Sequence, residues 1–113
     1  MKMKRIYEIP VPEDGYRVLI DRLWPRGISK MVAAIDEWNK DIAPSSELRN
    51  WFCHQPEKFK DFALAYQKEL QTKTAILQRL KDIDQQQNVT LLYAAKDPKI
   101  NHAVVLFQVI EEL

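Results

Sequence analysis

The sequence predicts an α/β protein: a small, mainly parallel sheet of three to four strands, flanked by about five helices in a layered sandwich. The continuous apolar run Val18–Ile20 is typical of a strand that is covered on both faces, and the mostly apolar segment Val89–Ala95 is a further strand. Several stretches between these runs carry apolar residues at helical spacing. Helices that separate apolar strands are typical of a sheet with parallel pairing.

Length and composition indicate one domain, residues 1–113. The chain has 113 residues, 46% of them hydrophobic, and a net charge of +1, so a sizeable core is expected but no general affinity for polyanions. No apolar run approaches the roughly 20 residues that a membrane helix needs, and we expect a cytoplasmic protein. The single cysteine, Cys53, excludes an internal disulfide, and a buried inert thiol is favoured over a nucleophile.

The first half of the chain is predicted to start with two strands. Residues 3–9 form the first, which ends before Pro10, and residues 16–21 form the second, after a turn ending at Gly15. Ser29 is a plausible cap for the next helix. The apolar residues of that helix follow at helical spacing: Met31, Ala34, Ile35 and Trp38.

Helices dominate the middle of the chain. Ser45 or Ser46 can cap a short helix, and Pro56 suits the start of the next. Two amphipathic helices follow, with apolar positions at Phe59, Phe62, Ala63, Tyr66 and Leu70, and then at Ile76, Leu77, Leu80 and Ile83.

The chain is predicted to finish with a third strand and a last helix. The strand covers residues 89–95, and Asn101 can cap a helix whose apolar positions are Ala103, Leu106, Phe107, Ile110 and Leu113. Because this segment is rich in valine, a strand over residues 103–109 is the alternative, and the sequence leaves the choice open.

In parallel sheets, ligands bind outside the carboxyl ends of the strands. This rule selects two polar loops, residues 22–30 and 96–102. In the first, Arg22 and Arg26 can converge on one anion, and Trp24 can stack on a ring. The alternative is structural: Trp24 fills the core, and Arg22 pairs with Asp21 or Asp41.

The second loop adds further candidates. Lys96 supplies a positive charge, and the helix that starts at Asn101 offers backbone amides to an anion. We expect Asp41, Asp97 or His102 to move a proton. The alternative is that Asn101 is only a cap and His102 a surface or core residue. The loop contains no glycine, so a phosphate-binding loop of the glycine-rich kind is excluded.

Four segments together resemble the YeaO-like family of small bacterial proteins of unknown function: residues 14–27, 41–45 and 51–54, and residues 91–97 with Asn101-His102-Ala103. The resemblance covers nearly the whole chain and adds His54 to the candidate ligand-binding residues. It implies no established reaction and no cofactor. This sequence departs from the family at Cys53, where relatives often carry glycine, and at Ala65, where they often carry arginine.

The residues favour an enzyme that acts on a small phosphate- or nucleotide-like anion, with Arg22, Arg26 and Lys96 holding the anion. The alternative is a non-catalytic module that binds nucleic acid or a regulatory anion, although the near-neutral net charge does not favour nucleic acid. A third reading is an interaction domain with a buried salt-bridge network. The sequence leaves open whether the chain is an enzyme and whether it is a monomer or a homodimer. No metal site is predicted.

Overall fold

A computed structural model describes residues 1–113 and shows a four-stranded parallel sheet. The strands are β1 (Lys2–Arg5), β2 (Tyr16–Leu19), β3 (Glu37–Trp38) and β4 (Val89–Tyr93), in the spatial order β1-β4-β2-β3. Every ladder is parallel. The α/β class and the parallel sheet are therefore confirmed, and all strands end at the same edge of the sheet.

Five helices accompany the sheet. These are α1 (Lys30–Ala33), α2 (Ser46–Phe52), α3 (Phe59–Leu70), α4 (Thr74–Gln86) and α5 (His102–Glu111). Since α1 is a single turn, four longer helices flank the sheet rather than about five. The alternative strand over residues 103–109 is wrong, because α5 is helical throughout. Leu113 lies beyond its end and is 41% exposed, so its predicted place in the core is wrong too.

The sheet is covered on both faces. On one face, alternate residues of β2 and β4 join the main core, which α2, α3, α4 and α5 complete. On the other face, Leu19 and Leu92 pack with Ile6 and Ala33 in a smaller cluster. The continuous run Val18-Leu19-Ile20 is fully buried for this reason. A segment of chain that includes Trp24 and Trp38 closes the smaller cluster.

The first strand and the helix after Ser29 are much shorter than the sequence indicated. The first strand ends at Arg5 rather than residue 9, because the chain turns there: the Glu8 carboxylate accepts from the Arg5 amide at 2.7 Å. The helix after Ser29 stops at Ala33, since Ala34 takes a left-handed conformation with φ of 50°. Trp38, predicted on that helix, instead lies in edge strand β3.

A buried ion cluster ties β1 to β2. The Asp14 carboxylate is fully buried and lies 2.6 Å from Arg17 Nη1 and 2.9 Å from Lys4 Nζ. Burial alone would raise the pKa of Asp14, but hydrogen bonds from Lys4, the Val11 amide and Arg17 outweigh it and hold the pKa far below its usual value. Arg17 also donates to the Ala33 carbonyl at 2.7 Å, which fixes the end of α1.

None of the helices has both the length and the apolar character that crossing a membrane requires.

Candidate functional site

A cavity of about 700 Å³, hereafter the strand-end cavity, opens where β1, β2 and β4 end. Eight of the predicted site residues line it: Arg22, Trp24, Arg26, His54, Lys96, Asp97, Asn101 and His102. The loops after β2 and β4 therefore meet in space, as the parallel pairing of these strands requires.

Asp41 is the predicted site residue that does not line this cavity. It lies in a second, smaller cleft of about 330 Å³, together with Ser45, Glu69 and Lys73. Arg22 is the one residue that lines both spaces. Of the three residues expected as alternatives for moving a proton, Asp97 and His102 line the strand-end cavity and Asp41 does not.

Arg22 is held by backbone carbonyl oxygens and not by a carboxylate. Its Nε donates to the Pro44 carbonyl at 3.0 Å, and its Nη2 makes a longer contact of 3.4 Å to the Ala43 carbonyl. The expected alternative partners, Asp21 and Asp41, make no ion pair with it. The side chain is therefore fixed in place while its charge stays unneutralised.

The connector that holds Arg22 is itself fixed by α3. The Tyr66 hydroxyl donates to the Ile42 carbonyl, and the Glu69 carboxylate accepts from both the amide and the hydroxyl of Ser45, at 2.9 Å and 2.6 Å. Complete burial of Tyr66, with Glu69 and Asp21 nearby, raises the pKa of its phenol well above the usual value. Tyr66 therefore remains a neutral hydrogen-bond donor.

Arg5 is a cavity residue that the sequence analysis missed. Its Nε donates to the Ala95 carbonyl at 2.9 Å and its Nη2 to the Ala94 carbonyl at 3.0 Å, and its guanidinium lies 4.7 Å from the Tyr7 ring centre. The expected strand over residues 3–9 concealed it, because Arg5 was placed inside a strand instead of at its carboxyl end. Tyr7 and Arg49, on α2, also line the cavity without having been predicted.

The lining of the cavity carries an excess of positive charge. Five cationic side chains face two carboxylates, Asp21 and Asp97. None of the five lies within 4.0 Å of a carboxylate oxygen, whereas Lys4, Arg17 and Arg79 elsewhere in the molecule all do. The five are Arg5, Arg22, Arg26, Arg49 and Lys96. Unpaired cations gathered around a concave space favour an anion there.

Asp21 and His102 form a pair in the cavity wall. His102 Nε2 lies 3.0 Å from both Asp21 Oδ1 and the Ile20 carbonyl oxygen. Two acceptors next to one ring nitrogen require that Nε2 carries the hydrogen. The geometry of a hydrogen bond is met only toward Ile20, so Asp21 Oδ1 stays buried without one. Asp21 Oδ2 accepts from the Ala94 amide at 3.1 Å and joins the ends of β2 and β4.

Asp97 and Asn101 shape the loop after β4. Asp97 Oδ1 accepts from the amides of Lys99 and Ile100 at 2.8 Å and 3.0 Å, and these bonds lower the pKa of Asp97 below its usual value. Asn101 caps α5 by accepting from the Val104 amide, and it donates to the Asp97 carbonyl at 2.8 Å. The amides of Lys99, Ile100 and Val104 are thus satisfied within the chain, and the binding of an anion by the start of α5 stays a prediction.

Trp24 has a mainly structural position. Its Nε1 donates to the Ile28 carbonyl at 2.8 Å, and its ring meets that of Trp38 edge to face, with centres 5.3 Å apart. His54 lines the cavity and is exposed, in a left-handed conformation after α2. Cys53 is exposed rather than buried as expected. Nowhere do three side chains of the metal-binding kind converge.

The fold and this site define a class of α/β proteins with a cation-lined cavity at the carboxyl edge of a parallel sheet. The chain belongs to the family described as "Inactive DUF488-N3 subclade", whose model matches residues 1–113. It is 46% identical to "Uncharacterized protein YeaO" of Escherichia coli (strain K12) over 106 residues. The aligned residues cover 94% of this chain and 92% of that protein.

Mycobacterial proteins are similar to almost the same extent. "Uncharacterized protein Rv3073c" of Mycobacterium tuberculosis (strain ATCC 25618 / H37Rv) is 43% identical over 110 residues, which is 97% of this chain and 92% of that protein. "Uncharacterized protein Mb3100c" of Mycobacterium bovis matches to the same degree. No solved structure matches the chain. The expected membership of a YeaO-like family of unknown function is confirmed.

Proposed function

We propose that this protein binds a small phosphate- or nucleotide-like anion in the strand-end cavity. The observation that carries the proposal is the unneutralised charge of the cavity lining. Five Arg and Lys side chains line the cavity, and none of these five forms an ion pair with a carboxylate. Guanidinium groups match the oxygens of phosphate and carboxylate, and a partly enclosed site strengthens their attraction.

The proposal is binding without turnover. The description of the matched family calls that subclade inactive. The catalytic roles foreseen for three residues also lack support: Asp41 lines another cleft, Asp97 is a weakened base, and His102 Nε2 already donates to Ile20. Location in the cytoplasm, as a monomer or homodimer, stays a prediction.

Calorimetric titration with inorganic phosphate tests the proposal. We expect saturable binding that weakens about threefold or more in Arg26→Gln and in Lys96→Gln, since each variant removes one exposed cation from the cavity. Lys60→Gln is the matched control, because it removes the same charge from an exposed position on α3 outside the cavity.

The other functions give different results in the same experiments. An oligonucleotide that binds more tightly than phosphate, with an affinity that falls steeply as salt is raised, would favour a nucleic-acid module. Release of phosphate from an organic phosphate, abolished in His102→Ala, would favour an enzyme. Absence of any anion binding to the folded wild-type protein would refute the proposal.

A further inference from the structure

We infer that Arg5 and Arg22 together anchor the headgroup of the ligand and that the ligand is a small organic phosphomonoester. This inference rests on the proposed function and makes it more specific. Arg5 was not among the predicted site residues, and its role follows from the way in which the two guanidiniums are held.

The two arginines are held in the same way. Each uses one edge of its guanidinium, Nε and Nη2, to donate to two successive backbone carbonyls: Ala95 and Ala94 for Arg5, and Pro44 and Ala43 for Arg22. Both side chains are half-buried. Their conformations are therefore set before a ligand arrives, so binding does not have to order them.

Each anchored guanidinium keeps free donors. A guanidinium has five N–H groups, and the backbone carbonyls accept from only two of them in Arg5 and in Arg22. Nη1 of both residues makes no hydrogen bond, and neither residue pairs with a carboxylate. By contrast, the side chains of Arg26, Arg49 and Lys96 are exposed and make no hydrogen bonds at all. Arg5 and Arg22 are therefore the anchors, and the three exposed side chains are free to approach a bound ligand.

The sheet places the anchors on either side of one strand. Arg5 ends β1 and Arg22 follows β2, and β4 lies between these strands. Strands β1 and β2 are thus two strand spacings apart, about 10 Å. Arg5 leans over the end of β4, toward β2, to reach Ala94 and Ala95, and both arginines line the strand-end cavity.

A phosphomonoester suits two fixed guanidiniums better than a carboxylate does. It has three terminal acceptor oxygens and a charge close to −2 near neutral pH, so both anchors can bind it at once. A carboxylate has two oxygens and one charge.

The size of the cavity indicates an organic body behind the headgroup. A volume of about 700 Å³ lies within the range of roughly 300–1,000 Å³ that organic ligands occupy, far more than inorganic phosphate fills. Leu23, Phe52 and Ile100 add apolar surface to its lining.

Titration with a matched set of probes tests the ligand class: phenyl phosphate, ribose 5-phosphate, benzenesulfonate and inorganic phosphate. At about pH 8 the phosphomonoesters are fully dianionic, because their second pKa is about 6. We expect phenyl phosphate to bind about tenfold or more tightly than benzenesulfonate, which has the same ring but one charge, and than inorganic phosphate. Equal affinities for phenyl phosphate and either comparison probe would overturn the assignment of the ligand class.

Arg5→Lys and Arg22→Lys test the anchors, since lysine keeps the charge but cannot bind two carbonyls and a ligand through one planar group. We expect each to weaken phenyl phosphate binding about tenfold, and Arg79→Lys, a control outside the strand-end cavity, to change it about twofold or less. Phenyl phosphate binding that is as strong in Arg5→Lys and Arg22→Lys as in Arg79→Lys would overturn the inference and leave anion binding intact.

Arg5→Lys also removes contacts between β1 and β4, so a measurement on the wild-type protein is needed as well. In nuclear magnetic resonance spectra, phenyl phosphate should shift the side-chain Nε signals of Arg5 and Arg22 but not that of Arg79, which is paired with Glu37. If phenyl phosphate binds without shifting the Arg5 signal, the anchor assignment is wrong. If the wild-type protein binds none of the probes, the proposed function fails with it.

Discussion

Gly15 is the residue at which backbone conformation and close packing are most demanding. Its φ of 65° and ψ of −125° are open mainly to glycine, and a Cβ there would lie 2.0 Å from the Asn88 carbonyl oxygen. That oxygen accepts from the Tyr16 amide at 2.7 Å, so it cannot move away without losing a bond next to β2.

We therefore expect Gly15→Ala to lower the free energy of unfolding by about 3 kcal/mol or more, as backbone strain and a steric clash combine. Gly27→Ala is the control: Gly27 also has a positive φ, 75°, but open space around it. It should lose only about 1 kcal/mol. Urea denaturation of both variants measures the difference, and equal losses would contradict this account.

Arg5 and Arg26 show how far single residues can be interpreted from sequence. Arg26 follows the buried apolar run Val18–Ile20, so its place near the strand ends could be predicted, and it lines the cavity. Arg5 sits where Lys-Arg-Ile-Tyr-Glu reads as continuous strand. Its position at a strand end depends on the turn closed by Glu8, and its partners lie about 90 residues away at Ala94 and Ala95.

At the scale of elements, helix α2 is followed by a residue, Cys53, that does not suit the backbone conformation required there. Cys53, the residue after the helix, has φ of 44° and ψ of 41°, the left-handed conformation that favours glycine. It is exposed and makes no disulfide, so the side chain contributes little to compensate.

Cys53→Gly should therefore raise the free energy of unfolding by about 1 kcal/mol, because glycine adopts this conformation without a steric penalty. Thermal and urea unfolding under reducing conditions measure the gain. Cys53→Ala retains a Cβ and should bring no such increase. A gain of the same size in the alanine variant would mean that the thiol, and not the backbone, is responsible.

Elements with a long apolar period were predicted well, and short ones were not. Phe62, Tyr66 and Leu70 are buried on α3 as their spacing indicated, and α5 begins at the predicted cap Asn101. The segment after Ser29 has helical spacing too, but Met31 is 89% exposed and the helix ends after one turn. The burial of Ala33 and the pairing of β3 with β2 outweigh the weak helix preference of the residues after Ala33.

At the scale of the whole molecule, carboxylates that are ionised and paired make stability depend on acidity. Burial would raise the pKa of Asp14, but Lys4 and Arg17 hold it far below the usual value. Burial would also raise the pKa of Glu37, but hydrogen bonds, chiefly from Arg79, lower it below the usual value. A carboxyl group with a lowered pKa stabilises the fold fully above its unfolded pKa and loses that contribution as pH falls toward the folded value.

The free energy of unfolding should therefore be steady from about pH 7 to about pH 5 and fall below about pH 4, the ordinary pKa of aspartate. Urea denaturation across this range measures it. Glu37→Gln removes the half-exposed pair with Arg79, and most of the fall should persist in this variant, because Asp14 is fully buried. Stability that does not change between about pH 5 and about pH 2 would contradict a role for the Asp14 cluster.

The order of apolar and polar residues along the chain is enough to predict a parallel α/β fold and a polar site where β2 and β4 end. Both depend on burial and on periodicity, which neighbouring residues specify. Which charges remain unpaired in that site does not follow from local order. Arg17 is neutralised by Asp14, whereas Arg5 and Arg22 are held by neutral carbonyls of distant segments. Such pairings depend on which parts of the chain the sheet brings within a few ångströms, and only the folded molecule determines that.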